Sequence, residues 1–108
     1  MSARLAAGIW VSAYLKRLQG EGIPAYVIAR GDDTAGEVLV KLALMDGNAR
    51  AFMRAFDFQL GDRVWQLLYE GTEREVDDAI ERQRGFDPDL WVIEVEDPRG
   101  RHMLGQMG

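Results

Sequence analysis

The segment from Glu37 to Phe56 limits the possible folds more than any other part of the chain. Val38, Val40, Leu42 and Leu44 alternate along its first half, and a second alternation runs from Ala49 to Phe56. Period-two spacing puts alternate side chains on opposite faces of an extended strand. Between the halves stands Asp46-Gly47-Asn48, a combination that tolerates positive φ and closes a tight hairpin. Strands joined this way run antiparallel and hydrogen-bond to each other, so a sheet forms around them.

Other segments extend that sheet. Ala25–Arg30 is rich in Tyr, Val and Ile, and Arg63–Glu70 carries Val64, Trp65, Leu67, Leu68 and Tyr69. Leu90–Glu96 reads as a strand too. Asp97-Pro98-Arg99-Gly100 then fits a type I turn, after which Arg101–Leu104 is expected to return as a short edge strand.

Two helices bracket the strand-rich region. Val11, Tyr14, Leu15 and Leu18 form one apolar stripe over about Gly8 to Gly20. In the second, Thr72 and Glu75 have the spacing of a capping box, and Val76, Ala79 and Ile80 form the stripe. The expected order is α-β-β-β-β-α-β, with a possible last β. This is a single α+β domain with an antiparallel sheet of about five to six strands and two helices on one face. Gly105–Gly108 reads as a frayed tail.

Composition excludes several kinds of chemistry. The chain has 108 residues and no cysteine, so disulfides, thiolate nucleophiles, Fe–S clusters and Cys-rich zinc sites are ruled out. Absence of cysteine fits a reducing compartment, and the cytoplasm is the expected location. The fairly apolar run Leu5–Leu15 is too short to span a bilayer. With 13 basic and 18 acidic residues the formal charge is −5, which argues against nucleic acid as a partner.

No catalytic set emerges. His102 is the single histidine, Ser12 lies within the first expected helix rather than on a strand-to-helix elbow, and no nucleophile-elbow motif is present. The loop Gly31–Gly36 has glycines at both ends, but Asp32 and Asp33 would repel a phosphate, and a hairpin loop is the expected role. Asp87, Asp89, Glu94 and Glu96 are the candidate ligands for Mg²⁺ in a small hydrolase or phosphotransfer enzyme. The simpler reading makes the aspartates turn formers and the glutamates a solvent face.

The favoured reading is a noncatalytic binding or protein-interaction module that needs no cofactor and can self-associate through a sheet face or edge. Arg50, Phe52, Arg54 and Phe56 share one side of their strand, opposite Ala51, Met53 and Ala55. If the small side packs under the helices, the outer side shows alternating Arg and Phe, with Arg30 as a neighbour. Such a surface can anchor apolar groups and pair with carboxylates or phosphates. The alternative is that the phenylalanines enter the core while the arginines snorkel past them. Each of Trp10, Trp65 and Trp91 is expected in the core.

Several stretches resemble a family of small alphaproteobacterial proteins classed as a domain of unknown function. They are Gly8-Ile9-Trp10-Val11-Ser12, Arg30-Gly31-Asp32 with Ala35-Gly36, and Gln83-Arg84 with Phe86-Asp87-Pro88-Asp89-Leu90-Trp91-Val92. Glu94-Val95-Glu96-Asp97 and Gly100-Arg101-His102 complete the resemblance. It covers nearly the whole chain and implies one complete domain, but no activity, ligand or catalytic residue.

Overall fold

The computed structural model describes residues 5–107. Helix α1 (Ala7–Gly20) leads into β1 (Ala25–Ala29), β2 (Val38–Ala43), β3 (Asn48–Asp57) and β4 (Asp62–Thr72). Helix α2 (Glu73–Phe86) and β5 (Trp91–Glu96) follow, and a short 3-10 helix spans Leu104–Gln106. The expected hairpin closes β2 onto β3. Gly47 takes φ 91°, and Asp46 accepts the Asn48 amide at 3.0 Å.

The five strands lie in the order β1-β5-β2-β3-β4. All pairs are antiparallel except β2 with β5, so the chain is α+β with a mostly antiparallel sheet. The β2-β3-β4 meander forms one wing. Helix α2 then carries the chain back so that β5 enters between β1 and β2. The capping box starts that helix as expected: Glu75 N donates to Thr72 Oγ1 at 3.2 Å, and Thr72 N donates to Glu75 Oε1 at 3.0 Å.

The expectation that both helices share one face is corrected. Trp10, Val11, Tyr14 and Leu18 of α1 pack on Val38, Val40, Leu42, Ile93 and Val95. Val76 and Ile80 of α2 pack on Leu39, Ala49, Ala51 and Val92, on the opposite face. The central strand is the cause. Every residue of β2 is buried, so it has an apolar surface on both sides and requires a cover for each.

The end of the chain also differs from expectation. Arg101–Leu104 forms no edge strand: Asp97 accepts both the backbone amide and the guanidinium of Arg101, and Met103 turns to φ 60°. β1 already occupies the sheet edge beside β5. Leu104 is instead buried in the α1-side core and Met107 packs against it, so Gly105–Met107 is not a frayed tail. Gly108 lies outside the described residues. Among the described residues, no helix is long and apolar enough to cross a membrane.

Candidate binding cleft

Because α1 covers the face that β3 turns toward it, the side chains of Arg50, Phe52, Arg54 and Phe56 do not form one open outer surface. They divide into four environments. Phe52 packs against the α1-side core and its ring lies 4.7 Å from that of His102. Arg50 pairs with Glu70 across the strands at 2.8 Å. Phe56 is half exposed at the wing tip, edge-on to Phe58 at 5.0 Å, and Phe58 is 90% exposed. Arg30 sits apart, paired with Asp33 at 3.0 Å and lying over the Trp91 ring at 5.2 Å.

Arg54 is the member placed in a site. Its guanidinium lies 5.1 Å from the ring centre of Trp10 and 4.8 Å from that of Trp65. The two indoles are tilted on each other with centroids 5.3 Å apart. A cation over an electron-rich ring face is attracted by its quadrupole, and two faces double the contact. These three residues line a cleft of about 370 Å³, closed by Leu5, Ala6 and Ala7, by the loop Thr34–Gly36, and by Glu37 and Val38. Small-molecule sites commonly hold about 300–1,000 Å³.

The acceptors around the cleft are committed within the fold. Trp10 Nε1 and Trp65 Nε1 are buried and have no hydrogen-bond partner among the described residues. Trp91, by contrast, donates its Nε1 to the Asp32 carbonyl at 2.8 Å. An unpaired buried donor costs about 1–3 kcal/mol, so the two indoles carry a cost in stability at this place. Glu37, the one carboxylate among the described lining residues, accepts from Arg63 at 2.7 Å. The carbonyls of Thr34 and Asp33 accept the amides of Ala7 and Gly8, the first turn of α1.

The four acidic residues considered for a metal are not brought together. Asp87 caps the turn by accepting the Asp89 amide at 3.0 Å, and Glu94 pairs with Lys41 at 3.1 Å. The charge of Glu96 and its hydrogen bond hold the Tyr26 phenol above its usual range. Among the described residues, no group of three or more His, Asp or Glu side chains is placed to hold a metal ion.

Lys41 is a feature that period-two reading passed over. Its side chain is 5% exposed, on the α2 side of the central strand. Nζ contacts Asp77 at 2.8 Å, Glu73 at 3.0 Å and Glu94 at 3.1 Å. Burial alone would lower its pKa, but the hydrogen bonds it donates to Asp77, Glu73 and Glu94 outweigh it and the value rises above the usual lysine range. A lone lysine within the apolar run Val38–Ala43 was the available signal.

His102 is held below its ordinary value of 6.5, first by burial and then by the charge of Arg50. Its Nδ1 accepts the Leu104 amide at 3.0 Å, which only the neutral ring can do. With the folded pKa depressed, the unfolded chain binds more protons in this window, and stability rises with pH. The contribution is present above about pH 6.5 and is lost as pH falls through the folded value. Between pH 7.5 and 5 the wild type is therefore expected to lose more stability than His102→Gln, measured by urea denaturation at each pH. Parallel losses would refute the assignment.

With the fold and cleft defined, comparison with known proteins identifies the class. Residues 5–105 match the family model described as "Protein of unknown function (DUF1491)", and the chain belongs to that family. It is similar to the crystal structure of a DUF1491 family protein from Caulobacter crescentus CB15: 39% identity, TM-score 0.82, covering 93% of this chain and 92% of that one. An NMR structure of a DUF1491 family protein from the same organism gives 40% identity, TM-score 0.81, and 95% and 94% coverage. Protein Atu0922 from A. tumefaciens, solved in solution, gives 30% identity, TM-score 0.73, and 87% and 86% coverage. No curated protein matches.

Proposed function

We propose that this chain is a noncatalytic binding module whose ligand enters the cleft walled by Trp10, Trp65 and Arg54. One observation carries the reading: a cation held against two indoles whose buried N–H donors lack partners among the described residues, the three residues lining one cavity. A buried polar group normally finds a partner, so two unpartnered donors beside a cavity mark a place where the fold accepts a cost in stability, as binding sites do. A cytoplasmic location fits the cysteine-free composition.

The test is a fragment screen read by ¹H–¹⁵N spectra. Binding fragments are expected to move the indole N–H signals of Trp10 and Trp65 together with the amides of Thr34–Val38. The Trp91 indole, already bonded within the fold, should stay in place. Fragments that bind only elsewhere would refute the cleft as the site.

A second reading rests on a separate observation. β4 is an open sheet edge of 11 residues, and the wing tip exposes Phe56, Phe58 and Leu60. Free edges with apolar neighbours invite pairing with another copy. Sedimentation is expected to show concentration-dependent self-association that Phe58→Asp abolishes. A strictly monomeric wild type would remove this reading.

A further inference from the structure

We infer that the free edge of β1 receives an extended peptide segment that alternates apolar and basic residues, at a site separate from the cleft. β1 ends the sheet on the side away from β4, and its Tyr26, Val27 and Ile28 are 50%, 44% and 56% exposed. Pro24 O accepts the Glu96 amide at 3.0 Å, and β1 runs antiparallel to β5 from there. In such a ladder alternate residues turn their backbone groups to the partner strand, so Tyr26 faces β5 while Ala25 and Val27 face outward. Each of those two offers an N–H and a C=O to a further strand. A segment added at such an edge is bound by main-chain hydrogen bonds, and its alternate side chains decide which sequence fits.

The two sides of the edge differ in chemistry. On the α1 side, Leu15, Gln19, Gly22, Ile23, Pro24 and Ala25 line a largely apolar groove of about 380 Å³ between helix and strand. Val27, opposite Ile93 of the α1-side core, continues that face. On the α2 side, Tyr26 stands opposite Glu94, and its phenol is hydrogen-bonded to Glu96. Glu94 shares Lys41 with Glu73 and Asp77. Among the described residues Lys41 is the one cation paired with any of these four carboxylates, so the cluster carries an excess of three negative charges. A strand laid on this edge therefore meets apolar surface with one set of side chains and carboxylates with the other.

That division selects the occupant. Pairing β1 with the same strand of a second copy would continue the sheet with both α2 sides on one face. The two acidic clusters would then adjoin, in chains that each carry −5, and like charges across an interface oppose it. The register shift between Val27 and Ala29 also bulges the edge after Val27, which confines pairing to a few residues and suits a short segment. Lysine or arginine at every second position supplies the complementary charge.

The experiment titrates the ¹⁵N-labelled full-length chain at low salt with acetyl-Val-Lys-Val-Lys-Val-amide, with the same peptide carrying Glu for Lys, and with a form of the lysine peptide N-methylated along its backbone. The lysine peptide is expected to shift the Ala25 and Val27 amide signals and to bind about tenfold or more tightly than the glutamate peptide, a gap that narrows as salt rises. N-methylation, which keeps the side chains but removes the donors, should weaken binding by about tenfold or more. Val27→Pro removes an N–H that no strand of the fold uses, so the chain should stay folded and lose the peptide. Glu96→Gln should reduce the preference for lysine over glutamate and leave the shifts at Ala25 and Val27 in place. The Trp10 and Trp65 indoles should not move, so this result and that of the fragment screen are independent. Equal affinity for the two charged peptides, undiminished binding of the N-methylated form, or no response at Ala25 and Val27 would overturn the inference. So would Ala25 and Val27 signals that move with protein concentration alone, which would mark a second copy as the occupant.

Discussion

Lys41→Met is expected to lower the unfolding free energy by about 2–4 kcal/mol, seen as a lower urea midpoint with an unchanged slope. Methionine nearly preserves the volume and the apolar stem, so lost packing is a small part of the effect. The main part is the fate of the carboxylates. Glu73 and Asp77 are 41% and 55% exposed and can turn to water once the ammonium is gone. Glu94 is only 22% exposed, pointing from the buried strand β5, and cannot. Breaking a fully buried ion pair costs about 3–5 kcal/mol, and the partial solvation of two partners lowers the figure here. Adding Glu94→Gln to Lys41→Met should therefore recover about 1 kcal/mol. Because the lysine value is raised, its contribution is complete below the unfolded value of about 10.4 and declines as pH rises through the folded one. The penalty should thus be as large at pH 9 as at pH 7. A loss under about 0.5 kcal/mol would show that the cluster is a solvated surface arrangement.

That lysine also shows which parts of the fold can be read from the sequence and which cannot. The capping box of α2, the Asp46–Asn48 hairpin and the Asp97–Gly100 turn are written in residues a few positions apart, and each stands where local chemistry places it. The placement of β5 between β1 and β2 depends on contacts between distant segments, for which no local pattern exists. The two-sided cover had one visible trace. Val38–Ala43 is apolar at consecutive positions, the signature of a strand buried on both faces, and its single lysine then needed buried partners. The cleft was half legible. Arg54 was singled out by the aromatic–arginine alternation of its strand, yet its neighbours Trp10 and Trp65 come from α1 and β4 and meet only in the fold. Phe52 followed the alternative reading, turning inward with the α1-side core.

Gly31→Ala is expected to cost about 3–5 kcal/mol or to prevent folding, an effect in the diagnostic tail of single substitutions. A methyl group there would stand 2.2 Å from the Asp89 carbonyl oxygen, 2.6 Å from the Trp91 ring and 2.7 Å from the Trp91 amide. Two of those three neighbours are backbone, so relief requires moving the loop away from the entry to β5. That movement would break the Asp32 N to Asp89 O bond of 3.0 Å and pull the Asp32 carbonyl from the Trp91 indole. The same loop continues through Thr34, Ala35 and Gly36 into the cleft wall, so a displaced loop should also weaken binding there. Gly85→Ala is the control of opposite sign. It lies near the end of α2 with nothing within 4 Å of the added carbon, and trading glycine for alanine in a helix is worth about 0.5–1 kcal/mol of stability. Urea denaturation of the two variants beside the wild type decides the matter. If Gly31→Ala unfolds at the wild-type midpoint, the close approach of the loop to β5 is wrong, and with it the rigid wall that the cleft requires.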